Sequence, residues 1–136
     1  MTPEQRRLVR ESFEVLRDQG GPVALLFYGR LFELDPSARR LFHNDLKLQG
    51  QKLVDTLETV VQSLDRFDAI RPRLADLGRL HAGYGVRLEQ YDMVITALLW
   101  ALGQALGTDF DPLTRDAWKQ ALTAVTTAMR DGARLP

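Results

Sequence analysis

The run LKLQGQKLVDTLETVVQSL, Leu46 to Leu64, decides the fold. Its inward series is Leu46, Gln49, Leu53, Leu57, Val60 and Leu64, which advances in steps of three and four. That is the spacing of one face of a helix, whereas a half-buried strand would alternate at every second residue. The run therefore predicts a helix over about 46–64, with one polar residue, Gln49, in its apolar stripe.

Working outward, the same logic predicts helices on both sides. Upstream lies a polar corner, His43-Asn44-Asp45, and before it a short helix capped by Asp35, opened by Pro36 and ending near Leu41-Phe42. Gly20-Gly21 breaks the chain, and Pro22 opens a helix that runs to about Leu34. The first helix runs from Pro3 to about Asp18, with Thr2 and Gln5 as a capping box and Val9, Phe13 and Leu16 inward. Downstream, Pro72 opens a helix with Leu74, Leu77 and His81 inward, ended by Gly83 and Gly85. Gln90 to Leu106 is apolar nearly all round, as a central helix is. Asp111-Pro112 starts a last helix to about Arg130, with Trp118, Leu122, Val125 and Met129 inward. Alternating strand patterns are missing. The expectation is an all-α fold of seven or eight helices in one domain, residues 1–136.

Composition narrows the function. Eighteen basic side chains balance eighteen acidic ones, which argues against electrostatic capture of nucleic acid or of an anionic membrane. No cysteine is present, which removes disulfides, cysteine-held iron–sulfur clusters, thiolate-ligated or thioether-attached haem, and cysteine nucleophiles. The polar start Met1-Thr2-Pro3-Glu4-Gln5 does not read as a signal peptide, and the longest mostly apolar run, Met93 to Leu102, is too short to span a bilayer. Together these favour a cytoplasmic protein.

Three polar side chains interrupt apolar stripes, and a buried polar group without a partner costs roughly 1–3 kcal/mol. His81 reads either as a core imidazole satisfied by a backbone carbonyl or as a metal ligand. Gln49 either reaches the surface from the first turn of its helix or offers its amide to a pocket. Tyr28, within Leu25-Leu26-Phe27-Tyr28, reads as a packing residue with a wetted hydroxyl or as a donor to a bound ligand. His43 follows Phe42 at a corner and reads as exposed.

Taken as a set, these segments resemble the globin family, and more closely the bacterial single-domain globins and the globin half of flavohaemoglobins. Leu26-Phe27-Tyr28-Gly29-Arg30-Leu31-Phe32 resembles their second helix with its distal tyrosine. Pro36 and Phe42 match the proline that opens the third helix and the phenylalanine wedged on haem. Leu48-Gln49-Gly50-Gln51-Lys52-Leu53 resembles the distal segment, and Leu77-Gly78-Arg79-Leu80-His81-Ala82-Gly83-Tyr84-Gly85-Val86 the proximal one.

The resemblance implies the globin fold, helices A to H packed around a haem pocket that holds haem b. It implies His81 as the iron ligand, with Leu80, Tyr84, Val86, Tyr91 and Val94 on the proximal side and haem edge. Phe42 would pack on the porphyrin, Leu53 would stand over the iron, and Lys52 would meet a propionate. Tyr28 and Gln49 would form the distal hydrogen-bonding pair toward O₂, CO or NO. The sequence departs from the flavohaemoglobin pattern in two ways: no nucleotide-binding reductase segment follows, and no glutamate stands near Ala133 to act with Tyr91 on the proximal histidine. The implied function is reversible gas binding for storage, delivery or sensing. The alternatives are NO dioxygenation with a separate reductase and a haem-free interaction module.

Overall fold

The structure, a computed structural model, describes residues 1–17, 20–42 and 45–134. The described residues form six α-helices joined by short 3₁₀ turns, with no strand among them.

Helix α1 spans Pro3–Leu16. Its capping box is formed: the Gln5 amide donates to the Thr2 hydroxyl at 3.0 Å, and the Thr2 amide donates to the Gln5 side-chain carbonyl at 2.9 Å. Val9, Phe13 and Leu16 are buried, as the periodicity predicts. The predicted last residue, Asp18, lies outside the described residues.

Helix α2 spans Gly20–Leu34, so it starts two residues before the predicted Pro22. The glycine pair supplies the first turn instead of a break. Pro22 then stands third in the helix, where its missing N–H is one of the donors a helix leaves unpaired anyway. Asp35 caps the following 3₁₀ helix, Pro36–Leu41, and accepts from the Ser37 amide at 3.1 Å.

Helix α3 spans Leu46–Gln62 and is capped by Asp45, which accepts from the Lys47 amide at 2.9 Å. The Ser63 amide bonds the Val60 carbonyl at 3.0 Å, which tightens the chain into a 3₁₀ turn at Leu64–Arg66. Helix α4, Phe67–Gly83, follows at once. Pro72 therefore lies inside this helix rather than opening it, which corrects the sequence expectation. An internal proline costs about 3 kcal/mol. Burial of Ile70 and part-burial of Phe67 on the core, each worth up to about 1.5–3 kcal/mol, offset that cost.

Helix α5 spans Gln90–Leu106 as predicted. Helix α6 spans Pro112–Ala133, with Asp111 as its cap, and runs three residues past the predicted Arg130. The reason is an interlock with α4. A methyl placed on Gly132 would lie 1.8 Å from the Ala75 carbonyl oxygen, and one on Gly78 would lie 1.9 Å from that of Met129. Two glycines thus let α4 and α6 touch backbone to backbone, and the last turn of α6 is needed for the second contact.

The remaining packing follows from the apolar faces. Helix α2 lies on α5 and crosses α3, and α1 lies on α6. Trp118 is fully buried in that last contact, and its indole N–H donates to the Ser12 hydroxyl at 2.8 Å. Helix α4 leans on α6, and among the described residues it has no comparably extensive contact with α3 or α5. Among the described residues no helix is long and apolar enough to cross a membrane.

Candidate functional site

His81 lies in the last turn of α4, held at fixed depth by the Gly78 contact one turn earlier. Its Nδ1 lies 2.8 Å from the Leu77 carbonyl oxygen. A carbonyl only accepts, so Nδ1 carries the proton, and Nε2 keeps its lone pair. Nε2 makes no hydrogen bond among the described residues. Burial lowers the His81 pKa, against the smaller opposing effect of the Leu77 carbonyl. The imidazole is thereby held neutral, in the tautomer that ligates a metal through Nε2.

The chain leaves α4 tightly. The Tyr84 amide bonds the carbonyls of Leu80 and His81, both at 3.1 Å, and the Val86 amide bonds that of His81 at 3.0 Å. Gly85 takes φ +102°, a conformation that glycine adopts without steric cost. A side chain there would meet Leu41 at 3.6 Å, so this corner closes onto the 3₁₀ helix that leads to Phe42.

A second set of side chains gathers on α2 and α3. Tyr28 is 4% exposed and sits among aromatic rings: 5.0 Å from Phe27, 6.2 Å from Phe32 and 5.1 Å edge-on from Phe42, centroid to centroid. Phe32 and Phe42 meet edge-on at 5.5 Å. Burial pushes the Tyr28 hydroxyl up to about 12. Helix α3 crosses here because residue 50 is glycine. A methyl on Gly50 would lie 2.8 Å from Ala24 Cβ and 3.9 Å from Tyr28 Cε2. Gln49, half-buried, is therefore carried in the same turn that meets Tyr28, and Leu53, also half-buried, follows one turn later.

The structure thus brings Tyr28 and Phe42 into contact, carries Gln49 and Leu53 on the helix that crosses Tyr28, and ties Val86 to His81 through the backbone, while Val94 is half-buried on α5. Tyr91, at the start of α5, is buried beneath the guanidinium of Arg130, 5.8 Å from the ring centre. Its hydroxyl is sealed without a partner among the described residues. Lys52, Leu80 and Tyr84 are exposed, the last two at 56% and 71%. His43 lies outside the described residues.

Sequence reasoning passed over Phe32 as a site residue. The signal was its position four residues after Tyr28, on the same helix face. It also passed over Gln90, whose buried amide donates to Asp35 at 2.8 Å and ties the start of α5 to the 3₁₀ helix.

The donor set fits haem. His81 offers a lone imidazole, and among the described residues no group of three or more His, Asp or Glu side chains could hold a bare metal ion. One neutral imidazole suits a metal whose remaining ligands arrive with it. Half-buried apolar side chains on the same three helices, among them Leu46 and Leu53 on α3, Leu77 on α4 and Val94 on α5, suit a flat apolar macrocycle.

Comparison with known proteins agrees. The globin family model matches residues 25–129. Neuroglobin-1 of Oncorhynchus mykiss is 28% identical over 97% of this chain and 92% of its own length. Neuroglobin of Tetraodon nigroviridis is 27% identical over the same shares. Among solved structures, an engineered carbene transferase described as a nitric oxide dioxygenase from Rhodothermus marinus superposes with a TM-score of 0.85. It is 26% identical, with 96% of this chain and 93% of that one covered.

Proposed function

From the premise that the chain belongs to the globin family, we propose that it holds haem b through His81 and binds O₂, CO or NO reversibly, for storage, delivery or sensing. The observation that carries this reading is the hydrogen bond from His81 Nδ1 to the Leu77 carbonyl, which leaves Nε2 free and neutral. When bound, haem supplies the iron that takes the gas. The chain supplies everything around it. Phe42, Leu53, Leu80, Tyr84, Val86, Tyr91 and Val94 form the apolar wall and edge, and Lys52 is the cation for a propionate. The Tyr28 hydroxyl, kept protonated by burial, donates to the gas, and the Gln49 amide is its partner donor.

Absorption spectra of the haem-loaded protein in ferric, ferrous and CO-bound forms test the reading. The wild type is expected to show a histidine-ligated, five-coordinate ferrous spectrum that converts fully with CO. His81→Ala is expected to lose it and to regain it with added imidazole. Haem uptake and CO spectra unchanged by that substitution would overturn the assignment.

A second reading rests on the likeness to the Rhodothermus marinus protein. In NO dioxygenation, NO, O₂ and one electron give nitrate, and the electron comes from a separate reductase. Sustained NO consumption with NADH and a reductase, against a single stoichiometric reaction without them, separates the two roles.

A further inference from the structure

A recess away from His81 lies between α2, α5 and the start of α6, with a volume of about 570 Å³. Three cations line it, Arg30, Arg115 and Lys119, and no acidic side chain does. In a chain whose charges balance overall, that is a local segregation. Arg30 is partly neutralised by Glu33 at 3.1 Å, whereas Arg115 and Lys119 make no ion pair among the described residues. Arg30 is also fixed in place. Its guanidinium lies 5.2 Å from the centre of the Trp100 ring, and its Nε is sealed from solvent without a hydrogen-bond partner among the described residues. Phe110 also lines it. It rests on α5 at Gly103, where an added methyl would meet its ring at 3.3 Å.

We propose that this recess binds a small aromatic phosphomonoester. Its charge matches the site: a phosphate monoester carries about −1.5 to −2 at neutral pH, against the two cations left unpaired. Guanidinium and ammonium groups together suit phosphate oxygens, and Arg30, already held against Trp100, loses little freedom on binding. The walls at Trp100 and Phe110 take the ring. The volume is in the range of small-molecule sites, about 300–1,000 Å³.

The test uses the haem-loaded full chain and isothermal titration with phenyl phosphate, with phenol and inorganic phosphate as the two half-ligands. Phenyl phosphate is expected to saturate the protein. Each half-ligand is expected to bind at least about tenfold more weakly, and Arg115→Glu with Lys119→Glu to weaken phenyl phosphate by about tenfold or more. Arg115→Gln with Lys119→Gln removes the charge more gently and should act in the same direction. Both side chains are exposed, so the haem spectrum and melting temperature should be unchanged. Trp100→Leu should weaken phenyl phosphate more than inorganic phosphate. No saturable binding, inorganic phosphate binding as tightly as phenyl phosphate, or affinity untouched by the charge variants would each overturn the proposal.

Discussion

Gly78 meets the backbone of Met129 so closely that any side chain at residue 78 would overlap the Met129 carbonyl. The contact fixes how deeply α4 sits on α6, and His81 follows three residues later on the same helix. Gly78→Ala must either push the helices apart or distort one of them. Overpacking of this kind costs about 1–3 kcal/mol, with backbone on both sides leaving little room to relax. The melting temperature should fall and haem should leave more readily, because the imidazole moves with its helix. An unchanged melting temperature and unchanged haem retention would show that the helices are not locked at this point.

Tyr28 should control gas release. Its ring is packed among Phe27, Phe32 and Phe42, so Tyr28→Phe keeps the shape and removes only the donor. Loss of one good hydrogen bond to a polarised ligand should speed O₂ dissociation by about tenfold, with CO release changed much less. Stopped-flow displacement of O₂ by CO measures it, and equal rates in the two proteins would remove Tyr28 from the distal site.

The pH sign at Tyr28 is equally definite. The folded pKa is raised by burial to about 12, above the ordinary 10.0. The folded state therefore favours the neutral phenol, and this contribution is whole below about pH 10 and is lost as pH rises through the folded value. Stability measured against pH should fall less steeply across that alkaline window in Tyr28→Phe than in the wild type.

Tyr91 makes the opposite case. Its hydroxyl is sealed and unpaired, with the Arg130 guanidinium against the ring rather than bonded to the oxygen. Tyr91→Phe removes a desolvated group that returns nothing among the described residues, so stability should hold or rise by up to about 1 kcal/mol. A marked loss in chemical denaturation would mean that the hydroxyl has a partner in the haem-loaded protein, such as the proximal ligand set.

Much of the fold was legible because helix faces write themselves into sequence at a fixed period. Val9, Phe13 and Leu16, or Leu57 and Val60, needed no tertiary knowledge to be placed inward. Caps at Thr2, Asp35 and Asp111 were legible for the same local reason. Pro72 misled because its cost is local while its compensation, the burial of Ile70 and Phe67, is tertiary. The glycines at 78 and 132 carry no local signal of close contact, since only the partner helix makes them necessary. In the site, His81 and Tyr28 stood out as polar residues on apolar faces. The bond from His81 to Leu77 and the pairing of Asp35 with Gln90, 55 residues away, depend on geometry that spacing does not encode.

That last pair yields an acid-side prediction. Asp35 is buried, accepts from Gln90 at 2.8 Å and from the Ser37 hydroxyl and amide, and has Arg87 at 4.0 Å. Its carboxyl is held below the ordinary 3.8, first by Gln90 and then by Ser37, with burial opposing. A depressed folded pKa means stability that is present above about pH 4 and lost as pH falls through the folded value. Asp35→Asn should therefore flatten the acid limb of the stability profile while lowering the plateau near neutrality. Gln90→Leu should lower the plateau too, since it leaves a buried carboxylate short of a donor. Both variants should also release haem at a higher pH than the wild type. The pair joins the 3₁₀ helix leading to Phe42 with the start of α5 beside Val86, and losing it loosens two elements that flank the proposed haem site at once. Denaturant midpoints and haem absorbance followed from pH 7 downward measure both effects, and identical acid limbs in the wild type and Asp35→Asn would show that this carboxylate does not brace the site.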